Sequence, residues 1–365
     1  MHRKIRAIGA VILVTLWASL TGFAWFGPRQ ETSHAERRPL AQMPDISIET
    51  LFSGKFMSEF EDFTLDQFPL RDSFRQLKSL FHYYVMNQSD NNQIYIADGY
   101  AAEMEYPLNE SSVNHALGQF QKVYNKYLKD SGSRVFATVV PDKSYYLAED
   151  NGYLAMDYSR LFDMVSKGLS WASYVDITDC LRTEDYYYTD THWRQEKLLA
   201  AARKLSRQMG LSLPKAEDFT VTPLERPFYG VYYGQAALPM DPETMYIMES
   251  ELLQDCTVYN YVNGKYAQVY DMDKLSSKDL YEVYLSGSQS LLRIENPYGI
   301  AGKELIVFRD SFGSSLVPLL VQDYAGVTLV DIRYISVEVL GNYIDFQNRD
   351  VLFMYSSLVL NKNLI

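Results

Sequence analysis

Cysteine is nearly absent. Cys180 and Cys256 are the only two in 365 residues, with no CxxC pair and no Cys/His cluster at metal-ligand spacing, which excludes a thiolate zinc site. One bridge between the two cysteines stays open. Basic residues are in deficit as well: 34 Lys and Arg stand against 46 Asp and Glu, a formal net charge of −12. No basic stripe exists to neutralise phosphates, so nucleic acid is excluded as a partner. Histidine is scarce too. There are five in the chain, which narrows the search for an acid–base side chain to His2, His34, His82, His115 and His192.

What is present describes an ordinary globular protein: 47% of residues are hydrophobic and 22% charged, in a chain long enough to bury a substantial core as one large domain or two. Tyrosine is abundant, with 30 copies. Two readings stand: aromatic stacking surfaces for carbohydrate, whose C–H faces pack on rings, or a tyrosine-rich core with tyrosine-bearing strands. The N-terminus pairs a basic "MHRKIR" with an uncharged apolar run, Ala7 to Gly27, of the length that spans a bilayer. A cleaved signal has a shorter apolar core and a small-x-small site, for which "GFA" is a poor match. The pattern predicts a signal anchor over residues 1–30, with cleavage as the lesser reading. The positive-inside rule then leaves the N-terminus in the cytoplasm and the rest outside it, a single-pass protein of the cell membrane.

Residues 31–50 read as a polar, proline-bearing linker, and helical spacing follows, interrupted at Pro69. "QIYIADGYAAEM" predicts a hairpin around Asp98-Gly99. From residue 111 helix and strand alternate: helices over "SSVNHALGQFQKVYNKYLKD", "YSRLFDMVSKGL" and "RQEKLLAAARKLSRQMG", the last ended by Gly210, and strands over "RVFATVV", stopped by Pro141, and "WASYVDIT". Tyrosine-rich alternation marks a β-rich insertion at about 215–300. Strand, turn and helix resume with "KELIVFRDSFGSSLVPLLV", then "GVTLVDIRY" as strand, "SVEVLGNYIDF" as helix and "RDVLFMYSSLVL" as a final strand. The expected fold over residues 51–365 is α/β, a doubly wound parallel sheet flanked by helices, whose ligands sit beyond the carboxyl ends of the strands.

That rule singles out two stretches. Ser311 lies in the turn between "KELIVF" and the next helix, where a serine hydroxyl is exposed at the sheet edge and helix-start N–H groups are placed to stabilise an oxyanion. The arrangement follows the logic of a nucleophile elbow without GxSxG. In "YYYTDTHWRQ", Asp190 and His192 supply a base and a group to orient it. The plainer alternatives are a helix-capping serine and a surface histidine. No other Ser/His/Asp set in the chain has this placement. Trp193 is read as packing under the histidine loop rather than touching sugar, and Asp310 as structural. Arg333 either clamps an acidic sugar or pairs with Asp331. Lys143 ends a strand on the same edge, where it is a candidate to line the cleft.

"AERRPLAQMP", "YYYTDTHW", "YEVYLSGS" and "LIVFRDSFGSSLVPLL…VTLVDIRY" resemble the DHHW family of exported bacterial proteins and, more distantly, the alginate O-acetyltransferases of the AlgJ and AlgX type. The resemblance covers most of the chain after residue 35. It implies an SGNH-hydrolase-like domain in which Asp190 orients His192, His192 is the base and Ser311 the nucleophile. It also implies O-acetylation of an exported polysaccharide, with a membrane-bound O-acyltransferase as acetyl-donor partner. Thr191 stands where the family's name motif has His, although the acetyltransferases carry Thr there. Arg309 replaces the Gly that precedes Asp-Ser in those enzymes, which bears on the oxyanion hole. The Gly and Asn that complete that hole in SGNH enzymes have no clear match, and Ser288 of the Ser-Gly-Ser at 286–288 is the candidate in their place. Such chemistry calls for no cofactor and no metal. An esterase using the same triad and a non-catalytic polysaccharide-binding scaffold are the alternatives.

Overall fold

The computed structural model describes residues 2–33 and 35–365; His34, assigned above to the linker, lies outside the described residues. The chain divides into two compact units, residues 1–92 with 233–240, and residues 93–232 with 241–365.

In the first unit the helix His2–Phe26 includes Lys4–Phe26, long and apolar enough to cross a membrane. A two-residue ladder joins Thr32–Ser33 to Arg38–Pro39. Three helices follow, Ile48–Phe52, Lys55–Asp66 and Arg71–Leu80, and the last runs on as a π-helical turn, Phe81–Val85. The break before Arg71 falls where Pro69 sits, because a proline disfavours helix in the residue before it. Polar groups gather inside this unit: Asp66 takes two bonds from Arg38, at 2.6 and 2.8 Å, and Glu36 pairs with Arg71 and Arg75.

The second unit is built on an eight-stranded sheet. In chain order its strands are β1 (Arg134–Val140), β2 (Ser173–Tyr174), β3 (Thr257–Asn260), β4 (Lys265–Ala267), β5 (Leu291–Glu295), β6 (Ile300–Arg309), β7 (Tyr324–Val330) and β8 (Asp350–Ser356). They lie side by side as β4-β3-β5-β7-β6-β8-β1-β2. The five strands from β7 to β2 are parallel, whereas β5, β3 and β4 extend one edge antiparallel. The expected α/β sheet is present, and the stretch read as a β-rich insertion supplies its antiparallel edge. That stretch also forms a separate two-stranded sheet from Thr220–Phe228 and Glu243–Glu249.

Alternation along the strands builds two cores, one on each face. Leu305 and Val307 of β6 pack with Ala201, Leu205 and Met209 of the helix Leu199–Met209. Ile306 and Phe308 pack with Val113 and Phe120 of Glu110–Val123 and Leu161 of Tyr158–Gly168. Apolar side chains on both faces are what a parallel strand covered by helices requires. The Asp98-Gly99 hairpin forms as read, with φ of 49° and 83°, the paired left-handed geometry of a tight two-residue turn.

Some elements are shorter than their patterns suggest. β2 keeps two residues of "WASYVDIT", because the Asp176 carboxylate accepts from the N–H and hydroxyl of Thr178 and turns the chain. The helix after Ser311 runs only Gly313–Leu316 before tightening to a 3₁₀ turn, Val317–Leu320, since Pro318 has no N–H to donate and clashes with the preceding turn. "SVEVLGNYIDF" forms the 3₁₀ helix Val337–Asn342 rather than an α-helix. Cys180 and Cys256 are both free thiols.

Phe353 of β8 stacks on Phe308 at 4.6 Å, meets Trp171 edge-on and packs at a tilt against Phe120. Phe353→Ala should lower the unfolding free energy by about 3–5 kcal/mol, read from urea denaturation; a loss below about 1 kcal/mol would mean that this face tolerates a void.

Candidate active site

Ser311 follows β6 by two residues, beyond the carboxyl end of the strand, and the turn that carries it is held from inside. Asp310 is fully buried; its carboxylate accepts from Phe312 N at 3.0 Å and Ser356 N at 2.7 Å, a structural role. Asp190 and His192 lie across the sheet edge on a loop closed by the bridge Tyr186–Trp193 and the bond from Tyr187 N to His192 O.

The two stretches meet. His192 Nε2 is 2.8 Å from Ser311 Oγ, and His192 Nδ1 is 2.6 Å from Asp190 Oδ1. With the carboxylate accepting from Nδ1–H, Nε2 is left to accept the serine hydroxyl proton. Asp190 is completely buried. Its Oδ1 also takes the His192 N–H at 3.0 Å, and its Oδ2 takes Val231 N at 2.9 Å, so it can hold the ring in one orientation. Such an array can withdraw a proton from Ser311 and return it to a leaving group.

Residues absent from the sequence reading complete the frame. Tyr281, the first residue of "YEVYLSGS", stacks on His192 with ring centroids 3.8 Å apart and planes within 10°, and its hydroxyl meets Ser315 Oγ at 2.7 Å. Gln195 donates to Ser315 O and accepts from Met248 N. Gly230 allows the backbone before Val231 to lie against Thr189 and Asp190, where a Cβ would come within 2.2–2.3 Å of main-chain atoms. A glycine after Tyr229 in a tyrosine-rich stretch was the only local sign of that approach.

The other candidates fall in different places. Trp193 is fully buried, its indole N–H shared between Phe312 O at 3.1 Å and Ser315 Oγ at 2.9 Å, so it packs under the loop and offers no face to sugar. Lys143, read as a cleft residue, is buried instead. Its Nζ donates to Tyr187 O at 2.6 Å and lies over the Tyr100 and Tyr232 rings. Arg309 is fully buried too and lines no open cleft: it donates to Ser314 Oγ, Asp310 O and Gly287 O. Arg333 is held in a two-pronged pair with Asp331, at 2.9 and 2.6 Å, which favours pairing over a sugar clamp. Ser288 is exposed at the end of a left-handed run, Leu285, Ser286 and Gly287, which Arg309 holds through the Gly287 carbonyl.

The helix-start N–H groups expected to face an oxyanion are committed elsewhere. Phe312 N, Gly313 N and Ser314 N bond to Asp310 Oδ1, Asp310 O and Ser311 O respectively. The short turn consumes its own donors, which leaves the Ser311 N–H.

Burial is the largest influence on the Lys143 ammonium and lowers it from the ordinary 10.5 to about 7, against the pull of Glu243, Asp190 and Asp142. Burial likewise raises the Glu243 carboxyl, although Thr189 N donates to it at 3.0 Å and Lys143 and Arg194 oppose the rise.

The parallel sheet, with the Asp-His and Ser loops at its edge, makes this an α/β protein with helices on both faces. Residues 152–330, just under half of the chain, match the DHHW protein family. Among solved structures it is similar to a DHHW family protein from Eubacterium siraeum DSM 15702, with 20% identity over 75% of this chain and 94% of that one and a TM-score of 0.57. It is similar also to Bacillus cereus PatB1 with a sulfonyl adduct, with 15% identity over 74% and 96% and a TM-score of 0.58. The O-acetyltransferase domain of Pseudomonas putida AlgJ aligns at 15% identity over 74% and 92%, with a TM-score of 0.45. No curated protein matches the sequence.

Gly230→Ala should displace the Val231 N–H from Asp190 and destabilise the fold by about 1–3 kcal/mol or more, with activity against an activated ester falling further than stability alone explains. Unchanged turnover would show that the segment is free to shift. Lys143 supplies a second expectation. Its folded pKa lies below the unfolded one, so between pH 7 and about 10.5 the unfolded chain holds the proton that the folded chain releases. Stability of the wild type relative to Lys143→Met should therefore rise with pH across that window, by up to about 1.4 kcal/mol per pH unit, and stay flat below it. A difference independent of pH would show that Lys143 keeps its ordinary pKa.

Proposed function

We propose that this chain is an extracytoplasmic O-acetyltransferase that works through an acyl-enzyme on Ser311, tethered to the membrane by the helix Lys4–Phe26 and acting on an exported polysaccharide. The observation that carries the reading is the continuous hydrogen-bonded line from Asp190 through His192 to Ser311. His192 Nε2 takes the Ser311 proton as Oγ adds to the acetyl carbonyl of the donor, and passes it to the departing donor oxygen as that bond breaks. The Ser311 N–H supports the developing oxyanion. In the second half a sugar hydroxyl gives its proton to His192 and attacks the acetyl-serine, and Ser311 leaves reprotonated. Asp190 steadies the imidazolium in both halves, and stacked Tyr281 keeps the ring in place.

The acetyl group and the polysaccharide acceptor rest on the DHHW and alginate O-acetyltransferase resemblance of the motifs that hold these residues. The same resemblance supports a membrane-bound O-acyltransferase as donor. PatB1, similar in fold, carries a sulfonyl adduct, and sulfonyl reagents report activated nucleophiles.

Given p-nitrophenyl acetate or an aryl sulfonyl fluoride, the protein should take up one acyl or sulfonyl group, located on Ser311 by mass spectrometry. Ser311→Ala or His192→Ala should lower turnover by about 10³–10⁶-fold, and the double variant should lose little more. An added oligosaccharide should accelerate turnover and carry the acetyl away. Acetate release at a rate indifferent to sugar would make the protein an esterase. Absence of an adduct, with Ser311→Ala behaving as wild type, would leave a scaffold.

A further inference from the structure

The helix Arg71–Leu80 exposes apolar side chains beside its polar flank. Arg71, Arg75 and Ser79 face the interior of their unit, while Asp72, Ser73, Gln76 and Lys78 stay exposed. There Arg71 pairs with Glu36, Arg75 donates to Gly234 O at 2.9 Å, and Ser79 Oγ accepts from Asn91 at 2.7 Å. The outward face of this helix and the turn that continues it carries Leu70, Phe74, Leu77, Phe81, Tyr84 and Val85, each between 46% and 71% exposed. Spacings of three and four place these side chains on one stripe. The neighbouring helices also expose apolar side chains, with Phe52 91% and Met57 63% exposed. A contiguous apolar surface of this kind on an otherwise folded unit marks something that covers it.

The position of these helices identifies what does so. Trp25, next to the end of the apolar helix His2–Phe26, donates its indole N–H to Thr64 Oγ1 at 3.2 Å and packs on Phe60 at 5.4 Å. Phe68, two residues before the stripe begins, packs against Trp17 at 6.2 Å. Trp17 lies about 14 Å back along that helix from Phe26, at about 1.5 Å per residue. If Lys4–Phe26 spans a bilayer, the turn leading into the stripe sits beside acyl chains, below the water interface. Trp25 and Tyr84 are of the type that settles at that interface. The ion pairs of Arg71 with Glu36 and Asp66, on side chains no more than 15% exposed, fit the same medium, where polar groups find partners only within the protein.

We propose that the stripe from Leu70 to Val85 is a lipid-binding face, lying in the outer leaflet of the membrane that holds the anchor. The inference rests on the anchor reading and not on the triad. It makes the membrane attachment a platform as well as a tether.

The test uses the full chain in vesicles of phosphatidylcholine and phosphatidylglycerol. In a Cys180→Ser background, Leu77→Cys, Phe81→Cys and Val85→Cys are labelled with an environment-sensitive fluorophore, beside Asp72→Cys and Gln76→Cys on the exposed flank outside the stripe. Stripe positions should show blue-shifted emission that doxyl-labelled lipid quenches, while the flank positions should emit as in water. Flotation of the protein with the vesicles tests the anchor separately. A protein that fails to float overturns the anchor reading and the proposal with it. Flotation with water-like emission at Leu77, Phe81 and Val85 overturns the proposal alone, and leaves the anchor and the triad standing. A blue shift that depends on protein concentration and ignores the doxyl lipid would assign the stripe to a second copy of the chain and sink the lipid reading.

Discussion

Trp193 has one N–H, and it is shared between Phe312 O and Ser315 Oγ. Through that indole, the loop that carries the histidine is registered against the turn that carries the serine, although 119 residues separate His192 from Ser311. A triad tolerates little error in the distance from base to nucleophile. The clamp is therefore redundant. Gln195 bonds to the Ser315 carbonyl, and Tyr281 joins the same turn through the Ser315 hydroxyl while its ring covers the imidazole. All three contacts are buried, where low local dielectric strengthens a hydrogen bond.

Beneath this clamp lies a second set of buried polar groups that shapes the loop from the other side. Lys143 holds the Tyr187 carbonyl, and Glu243 holds the N–H and hydroxyl of Thr189, so the backbone entering Asp190 is gripped at both kinds of main-chain group. The cost is an ammonium taken out of water, and burial outweighs the attraction of Glu243, Asp190 and Asp142. Arg309 presents a related case. Its side chain packs over Gly313 and leaves Nε without a partner among the described residues. Its bond to Gly287 O ties the left-handed loop of residues 285–287 to the start of the serine turn. A bulky residue in this place thus becomes a strut between two loops.

The first unit is patterned differently. In the second unit apolar side chains fill both faces of the sheet. In the first, Arg71 and Arg75 turn inward to Glu36 and Asp66, and the helices display leucine and phenylalanine beside exposed polar residues. One chain carries both patterns, and the exposed stripe belongs to the unit that holds the helix long enough to cross a bilayer.

Much of this was legible in order. The two-sided apolar strands, the Asp98-Gly99 turn, the Gly210 helix stop and the rule that sites gather beyond strand ends led to Ser311 and to Asp190 with His192, because each depends on local periodicity or turn chemistry. What the linear pattern could not carry was anything requiring two distant segments at once. Tyr281 looked like one more tyrosine in an alternating stretch, and its place over His192 appears only when the segment folds across 89 positions of chain. Lys143 and Arg309 sat at strand ends like cleft residues, yet neighbouring elements close over both, and burial is a property of the assembled layers. The helix-start N–H groups seemed available until the length of the turn made them bond to Asp310 and Ser311. By itself the sequence determined the buried strands and the tight turns and named Ser311, Asp190 and His192 as candidates, since those follow from period and residue type. Only the tertiary structure decided which side chains reach the site and which hold it up, because that depends on the few ångströms between segments that the chain order leaves free.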